Sequence, residues 1–209
     1  MCGGFTVAYS IKKAALEYGF DEPDFDFVPR NNARPGQNLP VVLSEKKSKI
    51  QLVHWGLKPY WLEKTGKKNE LINVRLDSFE KPAFINDFAS RRCVIICDGF
   101  FEWKKEGSVK QPYVFRMKDE RPFLLAGVWQ QHKDFGVGFA VITTNPNELV
   151  DEIHDRMPLI IDKDNLRHWL DGNLKIRLLL NSAGYAAEQM CKQKVATKIN
   201  SPIYEGELH

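Results

Sequence analysis

The stretch RRCVIICDGFFEW, Arg91 to Trp103, leaves few options for the fold. Its continuous apolar centre, closed by Asp98 and Gly99, is the pattern of a buried strand. Further apolar or alternating segments read as strands: Phe5 to Ala8, Val41 to Leu43, Ile50 to Trp55, Ile72 to Asp77, Tyr113 to Met117, Phe123 to Trp129, Phe135 to Thr143 and Leu159 to Ile161. Lys104 to Lys110 reads as a polar hairpin turn. Short helices are expected at Ile11 to Tyr18, stopped by Gly19, and at Lys81 to Phe88, Glu148 to Ile153 and Leu174 to Leu180. Another is expected at Asn165 to Leu170, capped by Asp162 or Asp164. Residues 21–40 are rich in Asp, Pro and Asn and read as loops, and residues 195–204 read as an extended tail. Many strands with few helices predict an α+β fold, a single domain over residues 1–209 around a mostly antiparallel, barrel-like sheet.

The net charge of +3 is too mild to imply nucleic acid by itself. Local clusters at Lys46–Lys49, Lys64–Lys68, Arg91–Arg92 and Lys104–Lys105 are either solvated faces or contacts to an anion. No apolar run spans a bilayer and no signal segment opens the chain, so the expected location is the cytoplasm, at the nucleoid in a bacterium or in the nucleus of a eukaryotic cell. Cys2, Cys93, Cys97 and Cys191 are expected as free thiols. Cys93 and Cys97 lack the second close ligand pair a zinc site needs, so no metal is expected.

Five features carry candidate chemistry. Cys2 follows the initiator methionine, and its small side chain favours removal of Met1. The exposed residue would carry an α-amine and a thiol on adjacent carbons, with reference pKa values of roughly 8 and 8.5. The amine condenses with an aldehyde to a Schiff base, and the thiol closes a five-membered thiazolidine. The plainer reading is that Cys2 only reflects the start of the chain. The segment WGLKPYW is either a core corner or a platform on which Trp55 and Trp61 stack unpaired bases, flanked by Lys58. In LINVRLDS the strand period sets Asn73 and Arg75 on one face, able to hold a phosphate or sugar oxygen, unless Arg75 simply pairs with Asp77 at the surface. Glu102 is either an exposed edge-strand carboxylate or an acid whose pKa is raised by its aromatic frame for proton transfer. His154 sits at a helix end before Pro158, as an exposed or structural imidazole or as an acid/base group.

Taken in order, MCGG, NNARPGQNLPVV, WGLKPYW, LINVRLDS, RRCVIICDGFFEW, LLAGVW, ITTNPN and IHDRMP resemble the SOS-response-associated peptidase (SRAP) family from Cys2 to about Asn200. The resemblance implies a protein that crosslinks itself to abasic sites in single-stranded DNA, without a cofactor and as a monomer. It implies Cys2 as nucleophile, Asn73 in the lesion pocket, Arg75 on phosphate, and Glu102 and His154 as catalytic proton-transfer groups. Gly4 stands where many members carry Arg, and Asp77 where many carry Glu. If that arginine meets DNA phosphate, this chain holds the strand with one cation fewer. Two further readings stand beside capture. One is a thiol peptidase of Cys2, His154 and Glu102 that removes Met1, and the other is a non-catalytic single-strand binder.

Overall fold

The computed structural model describes residues 2–64, 70–172 and 185–208. In chain order the strands are β1 (Phe5–Val7), β2 (Arg30–Ala33), β3 (Asn38–Leu43), β4 (Ile50–Trp55), β5 (Asn73–Arg75), β6 (Arg92–Cys97) and β7 (Gly99–Glu106). They continue with β8 (Val109–Met117), β9 (Phe123–His132), β10 (Gly136–Thr144), β11 (Met157–Pro158), β12 (Ile160–Ile161) and β13 (Met190–Lys194). The helices are α1 (Ile11–Tyr18), α2 (Tyr60–Glu63), α3 (Pro82–Phe88), α4 (Glu148–Asp151) and α5 (Lys163–Leu170).

Five strands close into a barrel in the order β10-β4-β3-β6-β9, because β9 pairs back onto β10. Its pairings are antiparallel except β4 with β10, where His54 faces Gly138 and Trp55 faces Phe139. Closure demands a glycine at position 138, since a Cβ there would lie 2.2 Å from the Gly56 carbonyl oxygen. The parallel strand β5 and the short β11 extend β10, and β12 extends β9. A second, antiparallel sheet runs β13-β8-β7-β1-β2. The expected α+β fold around a barrel-like, mostly antiparallel sheet is therefore the one formed.

Local signals end the helices as expected. The Ser10 side chain accepts from the Lys13 N–H at the start of α1, and Gly19, at φ 71°, ends it in the left-handed conformation. The Asp162 carboxylate accepts from the Asn165 N–H at the start of α5. Elsewhere the expectations need correction. Residues 21–40 hold β2, which pairs with β1, and the start of β3, which pairs with β4. The tail is not extended throughout, because residues 197–200 form a 3-10 turn, preceded by strand β13 that pairs with β8. The 104–110 turn shrinks to residues 107–108 between two long strands. The helix expected at Leu174 to Leu180 lies outside the described residues.

One aromatic stack seats the second sheet on the barrel. The Phe5 ring of β1 lies 4.2 Å from Trp55 at 13°, and Trp55 lies 6.1 Å from Phe139 at 9°. All three are fully buried. The Trp55 indole N–H donates to the Ile72 carbonyl at 3.0 Å. Trp55 thus fixes both the strand that follows Cys2 and the segment that leads into Asn73. No helix among the described residues is long and apolar enough to cross a membrane.

Candidate active site

Cys2, Asn73, Glu102 and His154 arrive from four separate parts of the chain and meet at the amino terminus. Pairing of Phe5 with Phe100 brings β1 onto β7, and the Phe101 N–H donates to the Gly4 carbonyl at 2.9 Å. This sets Cys2 beside Glu102, the next residue along β7. Cys2 is fully buried, and its thiol donates to the Gly4 carbonyl at 3.6 Å. Burial, reinforced by the nearby Glu102 charge, pushes the thiol pKa well up, so Cys2 rests as a neutral thiol.

β5 pairs with β10 through Asn73 and Val141, and this register turns the Asn73 side chain to the site. Its amide donates to the Cys2 carbonyl at 2.8 Å. The amide oxygen of Asn73 is buried with no hydrogen-bond partner among the described residues, which leaves an acceptor for an incoming group. Glu102 is 1 % exposed, and burial raises its carboxyl from the ordinary 4.5 to about 7. Glu102 is therefore buried rather than an exposed edge-strand carboxylate.

α4 ends before His154, whose backbone N–H donates to the Val150 carbonyl at 2.9 Å. The Arg156 N–H donates to His154 Nδ1 at 3.1 Å, so in the neutral ring the proton sits on Nε2. That nitrogen faces Glu102 Oε2 at 3.9 Å, a gap one water or a small closure spans. Asp155 Oδ1 lies 3.0 Å from Nδ1 and accepts a hydrogen bond from it when the ring is charged. Partial burial holds the His154 pKa below its ordinary value, which favours the neutral ring.

The four expected nucleic-acid contacts fare differently. Arg75 is exposed and forks onto Asp77, with Nε at 3.0 and 2.9 Å and Nη2 at 2.5 Å from its carboxylate oxygens. The surface pairing weighed for it is present. Trp55 is core, as the stack with Phe5 shows, so the expected base stacking by Trp55 is corrected: its ring has no free face. Trp61 is 40 % exposed and leans on Phe84, 6.2 Å away. The Lys58 ammonium lies 3.8 Å from Glu70 and over the Phe135 ring.

Arg156 was not singled out from the sequence. With Arg75, Asp77, Thr143 and Asn145 it lines a cleft of about 80 Å³ next to His154. Its Nη2 donates to the Thr143 carbonyl at 3.2 Å and to the Thr143 hydroxyl. Burial and the nearby Arg75 charge lower its pKa. Its place two residues after His154 was the available signal. No group of three or more His, Cys, Asp or Glu side chains able to hold a metal occurs among the described residues.

Residues 1–202 match the family described as SOS response associated peptidase (SRAP). The chain belongs to the SRAP family. Among its relatives, the abasic site processing protein YoaM of Bacillus subtilis is 33 % identical over 97 % of this chain and 94 % of its own length. The abasic site processing protein YedK of Escherichia coli is 30 % identical over 81 % of this chain and 79 % of its own. A crystal structure of a protein from Bacteroides thetaiotaomicron superposes with a TM-score of 0.80 at 28 % identity, covering 96 % of each chain. In this SRAP-family chain the ordered motifs fall where the fold needs them. MCGG precedes β1, LINVRLDS holds β5, RRCVIICDGFFEW spans β6 and the start of β7, and IHDRMP follows α4.

Proposed function

We propose that this protein processes abasic sites in single-stranded DNA by capturing them covalently through Cys2. The observation that carries the reading is the convergence on Cys2, with Asn73 on its carbonyl and the buried Glu102, titrating near neutrality, facing His154. The relatives named as abasic site processing proteins support the substrate class.

Removal of Met1 frees the α-amine of Cys2. His154 assists proton transfer as the abasic deoxyribose opens to its aldehyde. The amine adds to the aldehyde carbon, and a proton moves from nitrogen to oxygen to give a neutral carbinolamine. Protonated Glu102 gives its proton to the hydroxyl, water leaves, and the nitrogen lone pair forms the iminium. The Glu102 carboxylate then takes the thiol proton, and the sulfur adds to the iminium carbon to close the thiazolidine. Glu102 ends protonated, as it began, and a carboxyl with a pKa of about 7 suits both roles. The electrophile is the aldehyde itself, so no step calls on a cofactor. The reverse sequence releases the crosslink.

Around this centre Arg75 and Arg156 flank a cleft sized for phosphate oxygens, and Trp61 offers a ring to an unpaired base. Trp55 supports the site from within, and Lys58 is shared between Glu70 and the strand. The protein works as a monomer wherever the cell keeps its DNA. No observation at the site favours the peptidase or the non-catalytic reading over capture.

The test is a crosslinking gel. Processed protein is mixed with a single-stranded oligonucleotide carrying one abasic site and then denatured. A slow band that requires both the lesion and Cys2 is expected. Cys2→Ser keeps the amine and loses the thiol, so it should give only an adduct that needs borohydride to persist. A stable adduct with Cys2→Ser overturns the thiazolidine. Unchanged retention of the strand by Cys2→Ala, with no crosslink in the unsubstituted protein, points to a plain strand binder.

A further inference from the structure

Arg34, between β2 and β3, is placed unlike a surface arginine. It is half-buried, and burial lowers its pKa. Its titratable neighbour is the Cys2 thiol, and no carboxylate among the described residues contributes to its shift. A desolvated cation without a carboxylate is costly, so something else holds it.

Its guanidinium spends its donors on three acceptors from three parts of the chain. Nε donates to Asn32 Oδ1 at 2.6 Å, Nη1 to the Gly3 carbonyl at 3.1 Å, and Nη2 to the Ile199 carbonyl. The plane lies over the Trp103 ring, 5.1 Å from its centre. Buried Asn32 repeats the theme, because its amide donates to the carbonyls of Ile199, Ser201 and Tyr204 at 3.3, 2.9 and 2.9 Å. The amino-terminal backbone and the 3-10 turn near the other end of the chain are thereby joined through one side chain.

The glycine at position 4 belongs to the same arrangement. A Cβ there would lie 3.2 Å from Arg34 Nη1, 3.3 Å from its Cζ and 3.1 Å from the Phe101 ring. The space a side chain at position 4 would take is filled by the guanidinium.

We propose that Arg34 is the positioning residue of the amino-terminal nucleophile, clamping the Cys2–Gly3–Gly4 backbone to the Ile199 turn in a space that a side chain at position 4 would close. The inference rests on Cys2 being the nucleophile. A lysine cannot replace Arg34, because a point ammonium does not span three acceptors set out in one plane. The charge has a second effect. Beyond burial, the Glu102 charge from β7 raises the Cys2 thiol pKa and the Arg34 charge lowers it.

The experiment compares full-length processed protein with Arg34→Gln and Arg34→Lys. Thermal melts monitor folding, gels follow the rate of abasic-site capture, and peptide mass spectrometry follows alkylation of Cys2 by iodoacetamide against pH. Arg34→Gln is expected to melt cooperatively, capture about 10²-fold more slowly, and alkylate with its pH midpoint moved up. Arg34→Lys is expected to restore the midpoint and not the capture rate. Capture and alkylation by Arg34→Gln at unsubstituted values overturn the proposal. If Arg34→Gln does not fold, Arg34→Lys decides, and capture by it at the unsubstituted rate overturns the clamp. If the unsubstituted protein forms no crosslink, the function proposed above fails, yet alkylation still tests Arg34. Cys2 is fully buried, so faster alkylation above the midpoint in both Arg34→Gln and Arg34→Lys then supports the clamp, and unchanged rates in both reject it.

Discussion

The Asn73 side chain donates to the Cys2 carbonyl at 2.8 Å across 71 positions of sequence, so the parallel strand β5 holds the peptide that carries the proposed nucleophile. In the proposed capture this contact orients a reacting group more than it stabilises the fold. Asn73→Ala should therefore slow capture about 10²-fold. Its unfolding free energy should fall by only about 1 kcal/mol. A gel time course beside a urea melt checks both, and equal losses in the two would assign Asn73 to stability alone.

Glu102 links function to pH through burial. Its folded pKa of about 7 lies above the ordinary 4.5, so between those values the folded protein holds more protons than the unfolded chain. Stability is therefore highest below the unfolded value, declines as pH rises through this window and levels off above it. Glu102→Gln removes that decline, and relative to the unsubstituted protein it should gain about 2 kcal/mol between pH 5 and pH 8. An amide cannot pass protons, so capture by the same variant should drop about 10²- to 10⁴-fold. Denaturant midpoints at the two pH values, with capture rates alongside, separate the effects.

Two tryptophans six residues apart should respond in opposite ways. Trp55→Ala empties the stack between Phe5 and Phe139 and should cost about 3–5 kcal/mol of stability. Trp61→Ala, at a 40 % exposed site, should change stability by less than about 0.5 kcal/mol. It should weaken single-strand binding by about 1–3 kcal/mol if one base stacks on it. Melts and fluorescence anisotropy with an unmodified oligonucleotide read the two quantities.

The cleft beside His154 makes a salt-dependence prediction. Arg75→Gln or Arg156→Gln should each reduce the log–log salt slope of strand binding by about 0.7, because one phosphate is then left to its counterions. Asp77→Asn frees the Arg75 fork from its carboxylate and should tighten binding at low salt. Slopes that match the unsubstituted protein in both arginine variants would remove phosphate from this cleft.

Much of the site was legible where a signal is local or chemically unusual. The position of Cys2, the aromatic frame of Glu102 and the helix end before His154 were visible, because each depends on neighbours within a few residues. Arg34 was not, because it stands in a turn sequence and its partners Gly3 and Ile199 come from opposite ends of the chain. Trp55 was misread as a possible platform because a tryptophan beside Gly56 looks the same in sequence whether its ring meets solvent or Phe5. For Arg75 the pairing with Asp77 was legible, since it spans only two residues.

By itself the sequence determined the strand-rich α+β class, the limits of α1 and the C-terminal end of α5, and the chemistry open to an amino-terminal cysteine. Strand period, capping side chains and glycine stops act over a few residues, and the reactivity of an α-amine beside a thiol is covalent. Only the tertiary structure decided that β9 returns to β10 to close the barrel, that β5 delivers Asn73 to Cys2, and that Glu102 is buried enough to titrate near 7. Those outcomes depend on which distant segments exclude water together, and desolvation belongs to the assembled neighbours of a residue rather than to the residue.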